Sequence, residues 1–159
     1  LKHIDMPTIL FFLGILMSVA ALETAGVLTD VANWLDKQVH EVFTIAGVIG
    51  ILSSVIDNVP LVAACMGMYP VMDTAAVAAS ADPAYMQSFV QDGLFWHLLT
   101  YCAGVGGSLL IIGSAAGVVA MGLEKISFGW DLKRISLLAL SGYLAGIAVI
   151  WLEHVLIGL

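Results

Sequence analysis

Long uncharged stretches alternate with short charged segments along this chain. The first stretch begins at Met6, and a helix from it to residue 28 has about 23 residues, which at ~1.5 Å each crosses a ~30 Å hydrocarbon core. We therefore predict a transmembrane helix over 1–28. In 29–41, apolar residues recur at helical spacing with Trp34 among them, which is typical of an amphipathic helix in the membrane interface.

The second uncharged stretch, 42–72, is interrupted by one charged residue, Asp57. As a single straight helix it would be ~46 Å long, too long to span a bilayer without strong tilt. Pro60 also removes a backbone donor close to the charge. Two half-helices that meet at a polar tip inside the membrane fit better, so we predict a re-entrant hairpin over 42–72 with its tip near Asp57.

The remaining segments follow the same pattern. We predict a polar outer loop over 73–92 and a discontinuous transmembrane helix over 93–123, because that stretch is again too long and has a cluster of Gly and Ser in its middle. A cytoplasmic loop over 124–134 and a last transmembrane helix over 135–159 complete the chain. The expected fold class is an all-α membrane protein.

Composition and charge agree with membrane insertion. The chain is 61% hydrophobic, 11% charged and has a mean hydropathy of +1.05, outside the range of soluble domains. Five basic residues and a net charge of −7 exclude a nucleic-acid surface. The basic residues lie at Lys2 and mainly in 124–134, and none lies in 73–92. The positive-inside rule then places 73–92 and the C-terminus outside, provided that the Asp57 segment enters and leaves on one face.

A carboxylate in so much apolar sequence indicates a functional site. Ionised, Asp57 could hold a small cation, and protonated it would release that cation, which is the minimum chemistry of a cation/proton antiporter. Asp57 or Asn58 could instead cap a helix, the serines could bond to their own backbone, and the glycines could serve packing. The candidate cation ligands are Asp57, Asn58, Ser53, Ser54, Gly107, Ser108, Gly113 and Ser114.

At these residues the chain resembles the NhaD-type sodium/proton antiporters of the ion transporter superfamily, which also includes ArsB-like carriers. The matching stretches are 9–16, 54–60, 106–117 and 121–126. The resemblance implies two inverted repeats, each with a re-entrant hairpin and a discontinuous helix, of which this chain is the second and C-terminal one. It also implies that the N-terminal repeat is a missing partner, and that the full protein is a homodimer.

The predicted function is therefore part of a secondary transporter that exchanges Na⁺ or Li⁺ for H⁺ by alternating access in the bacterial cytoplasmic membrane. We expect no enzymatic activity, no bound cofactor and no nucleic-acid partner, with the lipid bilayer as surroundings. Two alternatives remain open at this point. One is an anion or arsenite carrier of the same superfamily, and the other is a structural membrane subunit with Asp57 in an intersubunit ion pair.

Overall fold

The computed structural model describes the backbone of residues 6–157, with all their side chains except those of residues 6–8, 11, 12, 15, 115 and 119. Residues 1–5 of the predicted first helix, among them Lys2, and residues 158–159 of the predicted last helix lie outside the described residues. The helices are α1 Met6–Thr24, α2 Val27–Gln38, α3 Val42–Ser53, α4 Asn58–Met68, α5 Thr74–Ala79, α6 Pro83–Met86, α7 Leu94–Gly106, α8 Ala115–Glu124, α9 Phe128–Arg134 and α10 Ser136–Ile157. Two 3₁₀ turns lie at Gln87–Phe89 and Ile111–Gly113.

Local chemistry explains where the helices of the second stretch begin and end. The Glu41 carboxylate accepts hydrogen bonds from the backbone N–H groups of Phe43 (3.0 Å) and Thr44 (2.6 Å), which caps the start of α3. Pro60 lies in the first turn of α4, where a backbone N–H has no helical partner to lose. Between these helices, residues 54–57 form a tight non-helical connection.

Helices α3 and α7 run parallel, and α10 runs antiparallel to both. Near the start of α3, the ring of Phe43 lies 6.0 Å from that of His154 in α10, and His154 lines a cavity together with His97 of α7. At the other end of the pair, the backbones of Gly50 and Gly106 touch. The C-terminal ends of the two half-helices therefore meet at the same depth in the fold.

Helix α4 returns the chain to the end from which α3 started. The ring of Tyr69, just after α4, lies 5.1 Å from Phe89 and 4.8 Å from Phe95 in the first turn of α7. His40, just before α3, stacks on Tyr85 at 4.1 Å, and Tyr85 lies 5.2 Å from Phe89. Both ends of the 42–68 segment thus lie against one aromatic cluster. This is the geometry that a hairpin needs, while its depth in a membrane stays a prediction.

The all-helical fold class is confirmed. Within the described residues, α10 is the helix long and apolar enough to cross a membrane, and α3, α4 and α7 are apolar but shorter. Leu137 and Leu138 of α10 are 70% and 71% exposed, as expected of a surface that faces lipid. The predicted loops are more ordered than expected, since α5 and α6 lie within 73–92, and α9 lies within 124–134.

Candidate functional site

The two broken helical elements meet backbone to backbone. A Cβ added to Gly106 of α7 would overlap the carbonyl oxygen of Gly50 in α3, and would lie 2.7 Å from its carbonyl carbon. A Cβ on Gly50 would in turn lie 2.6 Å from the carbonyl oxygen of Cys102. Glycine at both positions therefore permits a contact that any larger residue would prevent. This contact holds the C-terminal ends of α3 and α7 side by side.

Three backbone carbonyl oxygens converge just beyond this contact. A methyl group on Gly113 would lie 2.6 Å from the oxygen of Ser54, 2.7 Å from that of Gly107 and 2.8 Å from that of Ser53. Two of these oxygens belong to the end of α3 and its connection, and the third follows α7. We call the carbonyl oxygens of Ser53, Ser54 and Gly107 the carbonyl cluster.

The carbonyl cluster is a region of negative potential. Each helix has unpaired carbonyls and a partial negative charge at its C-terminus, and here the C-termini of α3 and α7 coincide. Within the described part of the chain, no hydrogen-bond donor reaches the three oxygens. Free carbonyls of broken helices are the groups that coordinate Na⁺ in secondary transporters. The arrangement is therefore suited to a small cation and unsuited to an anion.

Asp57 and Asn58 lie at the start of α4, directly after the carbonyl cluster along the chain. Both residues are partly buried. The Asp57 backbone occupies the N-cap position of α4, but its side chain makes no capping hydrogen bond. The structure therefore does not support the alternative that the Asp57 carboxylate is a simple helix cap. The Asp57 carboxylate is therefore not used by the backbone N–H groups of α4, and its oxygens remain available as ligands.

The candidate serines differ from one another. Ser53 is fully buried and donates a hydrogen bond of 2.8 Å to the carbonyl oxygen of Ala103 in α7. Ser54 donates to Ile51 in its own helix at 2.6 Å, and Ser114 caps α8 by accepting from the Gly117 N–H at 3.0 Å. Ser108 is exposed. The structure thus brings together Ser53, Ser54, Gly107 and Gly113, and gives the hydroxyls of Ser54 and Ser114 local backbone roles.

Side chains of the usual metal-binding types do not cluster in the described residues, where no group of three His, Cys, Asp or Glu could hold a metal ion. A site made of backbone oxygens with one carboxylate does not need such a group of side chains. Its donors are hard, uncharged oxygens of the kind that suit an alkali cation better than a transition metal.

Two tyrosines that the sequence reasoning missed support the site from α7 and α10. The buried hydroxyl of Tyr143 donates to the carbonyl oxygen of Gly47 in α3 at 2.8 Å. The hydroxyl of Tyr101 donates to the carbonyl oxygen of Gly142 in α10 at 3.0 Å. Both bonds tie α10 to the half-helices. The sequence signal that could have indicated this role is the presence of a tyrosine within an apolar span, since its hydroxyl needs a hydrogen-bond partner once it is buried.

Apolar helices with an exposed hydrophobic surface, and two broken elements that present carbonyl oxygens to each other, define an integral membrane transport protein. The chain belongs to the citrate transporter family, whose model, described as "Citrate transporter", matches residues 1–90.

The resemblance to sodium/proton antiporters is also confirmed. The chain is 49% identical over 97% of its length to "Sodium/proton antiporter 1" and 46% identical over 97% to "Sodium/proton antiporter 2", both of Arabidopsis thaliana. It is 35% identical over 94% of its length to "Na(+)/H(+) antiporter NhaD" of Vibrio cholerae. These alignments cover 24%, 33% and 27% of the three relatives, so the chain spans a quarter to a third of their length. No solved structure matches significantly.

Proposed function

We propose that the chain is part of a secondary transporter that exchanges Na⁺ or Li⁺ for H⁺ by alternating access. The observation that carries the proposal is the carbonyl cluster at Gly113, which gathers oxygens of both broken elements, two of them from the residues that precede Asp57 by three and four positions. The cluster supplies uncharged oxygen ligands, and Asp57 supplies the one group that can carry either a proton or the charge that holds a cation. Relatives named as antiporters support the same activity.

The same proposal includes the surroundings of the chain. A second repeat elsewhere in the transporter supplies the rest of the site, and the full protein is a homodimer in a membrane such as the bacterial cytoplasmic membrane. The C-terminus of α10 lies outside, together with the 73–92 loop. Support comes from charge, since three of the four described Lys and Arg residues, Lys125, Lys133 and Arg134, lie before α10 and so at the opposite end of that helix from Glu153.

The name of the family raises citrate as a different cargo. An anionic cargo would have to approach three carbonyl oxygens and the Asp57 carboxylate, all of which repel negative charge. The same groups attract a cation. The geometry of this chain therefore favours the cation exchange that the antiporter relatives are named for.

The test is ion-evoked proton movement in inverted vesicles that contain the full-length transporter. Na⁺, Li⁺, K⁺ and citrate are each added to wild type, Asp57→Asn and Asp92→Asn. We expect Asp57→Asn to reduce the Na⁺ or Li⁺ response about tenfold or more, because an amide neither binds nor releases the exchanged proton.

Asp92→Asn is the matched control, since it removes one carboxylate from a position with a φ of 58° that asparagine tolerates. It should keep the wild-type response. Full activity of Asp57→Asn, with normal insertion, would end the assignment of Asp57. A response to citrate and none to cations in wild type would replace the antiporter by an anion carrier.

A further inference from the structure

A second cavity lies outside the carbonyl cluster, beside the aromatic cluster at the other end of α4. It has a volume of about 300 Å³ and lies between α2, the end of α4 and the segment around α6. Its lining includes Asp36, Tyr69, Tyr85, Phe89, Met68 and Met72. We call it the Asp36 cavity.

The carboxylate of Asp36 lines this cavity and is held by hydrogen bonds from its walls. Asp36 is partly buried, and its Oδ1 atom accepts hydrogen bonds from the hydroxyls of Tyr85 (2.7 Å) and Tyr69 (3.5 Å). Burial of the Tyr85 hydroxyl and its bond to Asp36 raise the pKa of Tyr85, so this hydroxyl remains a donor at neutral pH. The two tyrosines thus orient the Asp36 carboxylate from one side of the cavity.

The Asp36 carboxylate makes no salt bridge in the described part of the chain, where the salt bridge present joins His40 and Asp82. The C-terminus of α4 also ends at the cavity, because Met68 is its last residue and Tyr69 follows. The helix dipole therefore adds partial negative charge to that of Asp36. The Asp36 carboxylate and the C-terminus of α4 both repel an anionic ligand. A neutral apolar ligand would cover the carboxylate without supplying a positive charge to pair with it.

The rest of the lining determines what kind of cation fits. A bare metal ion needs several oxygen ligands that converge on one point, whereas six of the eleven lining residues are aromatic or methionine, and Thr29 and Asn33 are the polar ones besides Asp36 and the tyrosines. Aromatic faces and thioethers bind organic ammonium groups, through cation–π attraction and polarisable contact. The volume is at the lower end of the ~300–1,000 Å³ typical of small-molecule sites, which limits the ligand to about one ring.

From these contacts we propose that the Asp36 cavity binds a small organic ammonium ion, with its charged group at the Asp36 carboxylate and its apolar part against Tyr69, Tyr85 and Phe89. The site is separate from the carbonyl cluster and does not depend on which ion the transporter exchanges.

The experiment measures binding by calorimetry to the purified full-length transporter in detergent, at constant ionic strength. Benzylammonium is the probe, and benzyl alcohol is its uncharged analogue of the same shape. The variants are Asp36→Asn, which keeps an acceptor for both tyrosines, and Asp30→Asn, which removes a charge from α2 outside the cavity lining.

We expect benzylammonium to bind wild type with saturation, and benzyl alcohol to bind at least about tenfold more weakly. Asp36→Asn should weaken benzylammonium about tenfold, and Asp30→Asn less than about twofold. Three results would each overturn the proposal: no saturable binding to wild type, equal binding of the alcohol, or an equal effect of the two substitutions. Because the alcohol comparison uses wild type alone, it stands even if a variant does not fold.

Discussion

The contact between α3 and α7 predicts opposite effects for two neighbouring glycines of α7. A Cβ at Gly106 would overlap the carbonyl oxygen of Gly50 and lie 3.0 Å from its Cα, whereas a Cβ at Gly104 has no atom within 4 Å. Gly104 lies in the last turn of α7 and Gly106 is its last residue, so each substitution to alanine gains at most ~1 kcal/mol of intrinsic helix propensity. Only Gly106→Ala also forces the two backbones apart.

The size of the effect follows from ordinary contact distances. Carbon atoms pack at ~3.5–4.0 Å, and the new Cβ would lie 2.7 Å from the carbonyl carbon of Gly50, so α3 and α7 would have to separate by roughly 1 Å at this point. Overpacking of a tight contact costs about 1–3 kcal/mol, and the upper end of that range, about 3 kcal/mol, applies here because two backbones can yield less than a side chain. With the propensity gain subtracted, we expect Gly106→Ala to lower the free energy of unfolding by about 2 kcal/mol.

The assay is thermal unfolding of the purified full-length transporter, followed by tryptophan fluorescence, for wild type, Gly106→Ala and Gly104→Ala. The apparent Tm of Gly106→Ala should fall by about 3 °C or more. Gly104→Ala should equal or exceed wild type. If the two variants unfold at the same temperature, the close approach of Gly50 and Gly106 is not present, and the position of the carbonyl cluster loses its support.

Two further predictions concern a buried hydroxyl and an exposed carboxylate. Ser53→Ala removes the hydrogen bond to the Ala103 carbonyl and should lower the free energy of unfolding by about 1–3 kcal/mol in a denaturation assay. The control Ser141→Ala, at an exposed site, should change the free energy of unfolding by less than ~0.5 kcal/mol. Equal effects of the two substitutions would contradict the buried hydrogen bond of Ser53. The N–H of Tyr85 and the side chain of His40 lower the pKa of Asp82, so its charge stabilises the fold above the unfolded value of ~3.9 and is lost as pH falls through the lower folded pKa. The stability difference between wild type and Asp82→Asn should therefore shrink on acidification, measured as Tm against pH, and a constant difference would refute the linkage.

The helical segments could be predicted from the sequence because their signals are local. Uncharged runs that are too long for one span, Pro60 near Asp57 and the glycines of 93–123 all indicate interrupted helices, and the structure ends α3 at Ser53 and α7 at Gly106. Less regular parts were missed. The 73–92 segment forms short helices because Asp73 and Asp82 cap them, and such caps are difficult to separate from ordinary loop residues.

The candidate site could be predicted as a region but not as a set of atoms. Sequence reasoning chose the side chains of Ser53 and Ser54 as neutral ligands, yet the oxygens of these two residues that converge at Gly113 are their backbone carbonyls. Every residue has a carbonyl, so no residue type signals this role. The pairing of Gly50 with Gly106 is likewise a long-range contact that one sequence without relatives cannot reveal.

Helix α10 connects the thickness of the bilayer to the carbonyl cluster. Its 22 residues extend ~33 Å, close to the ~30 Å hydrocarbon core, so in the transmembrane position that the sequence predicts for it a thinner or thicker membrane would change its tilt. The hydroxyls of Tyr143 and Tyr101 fasten α10 to α3 and α7 through backbone oxygens in the helix interiors. A change of tilt would therefore be transmitted through these bonds to the half-helices. The lipid composition around α10 would in this way alter the distances between the carbonyl oxygens at Gly113.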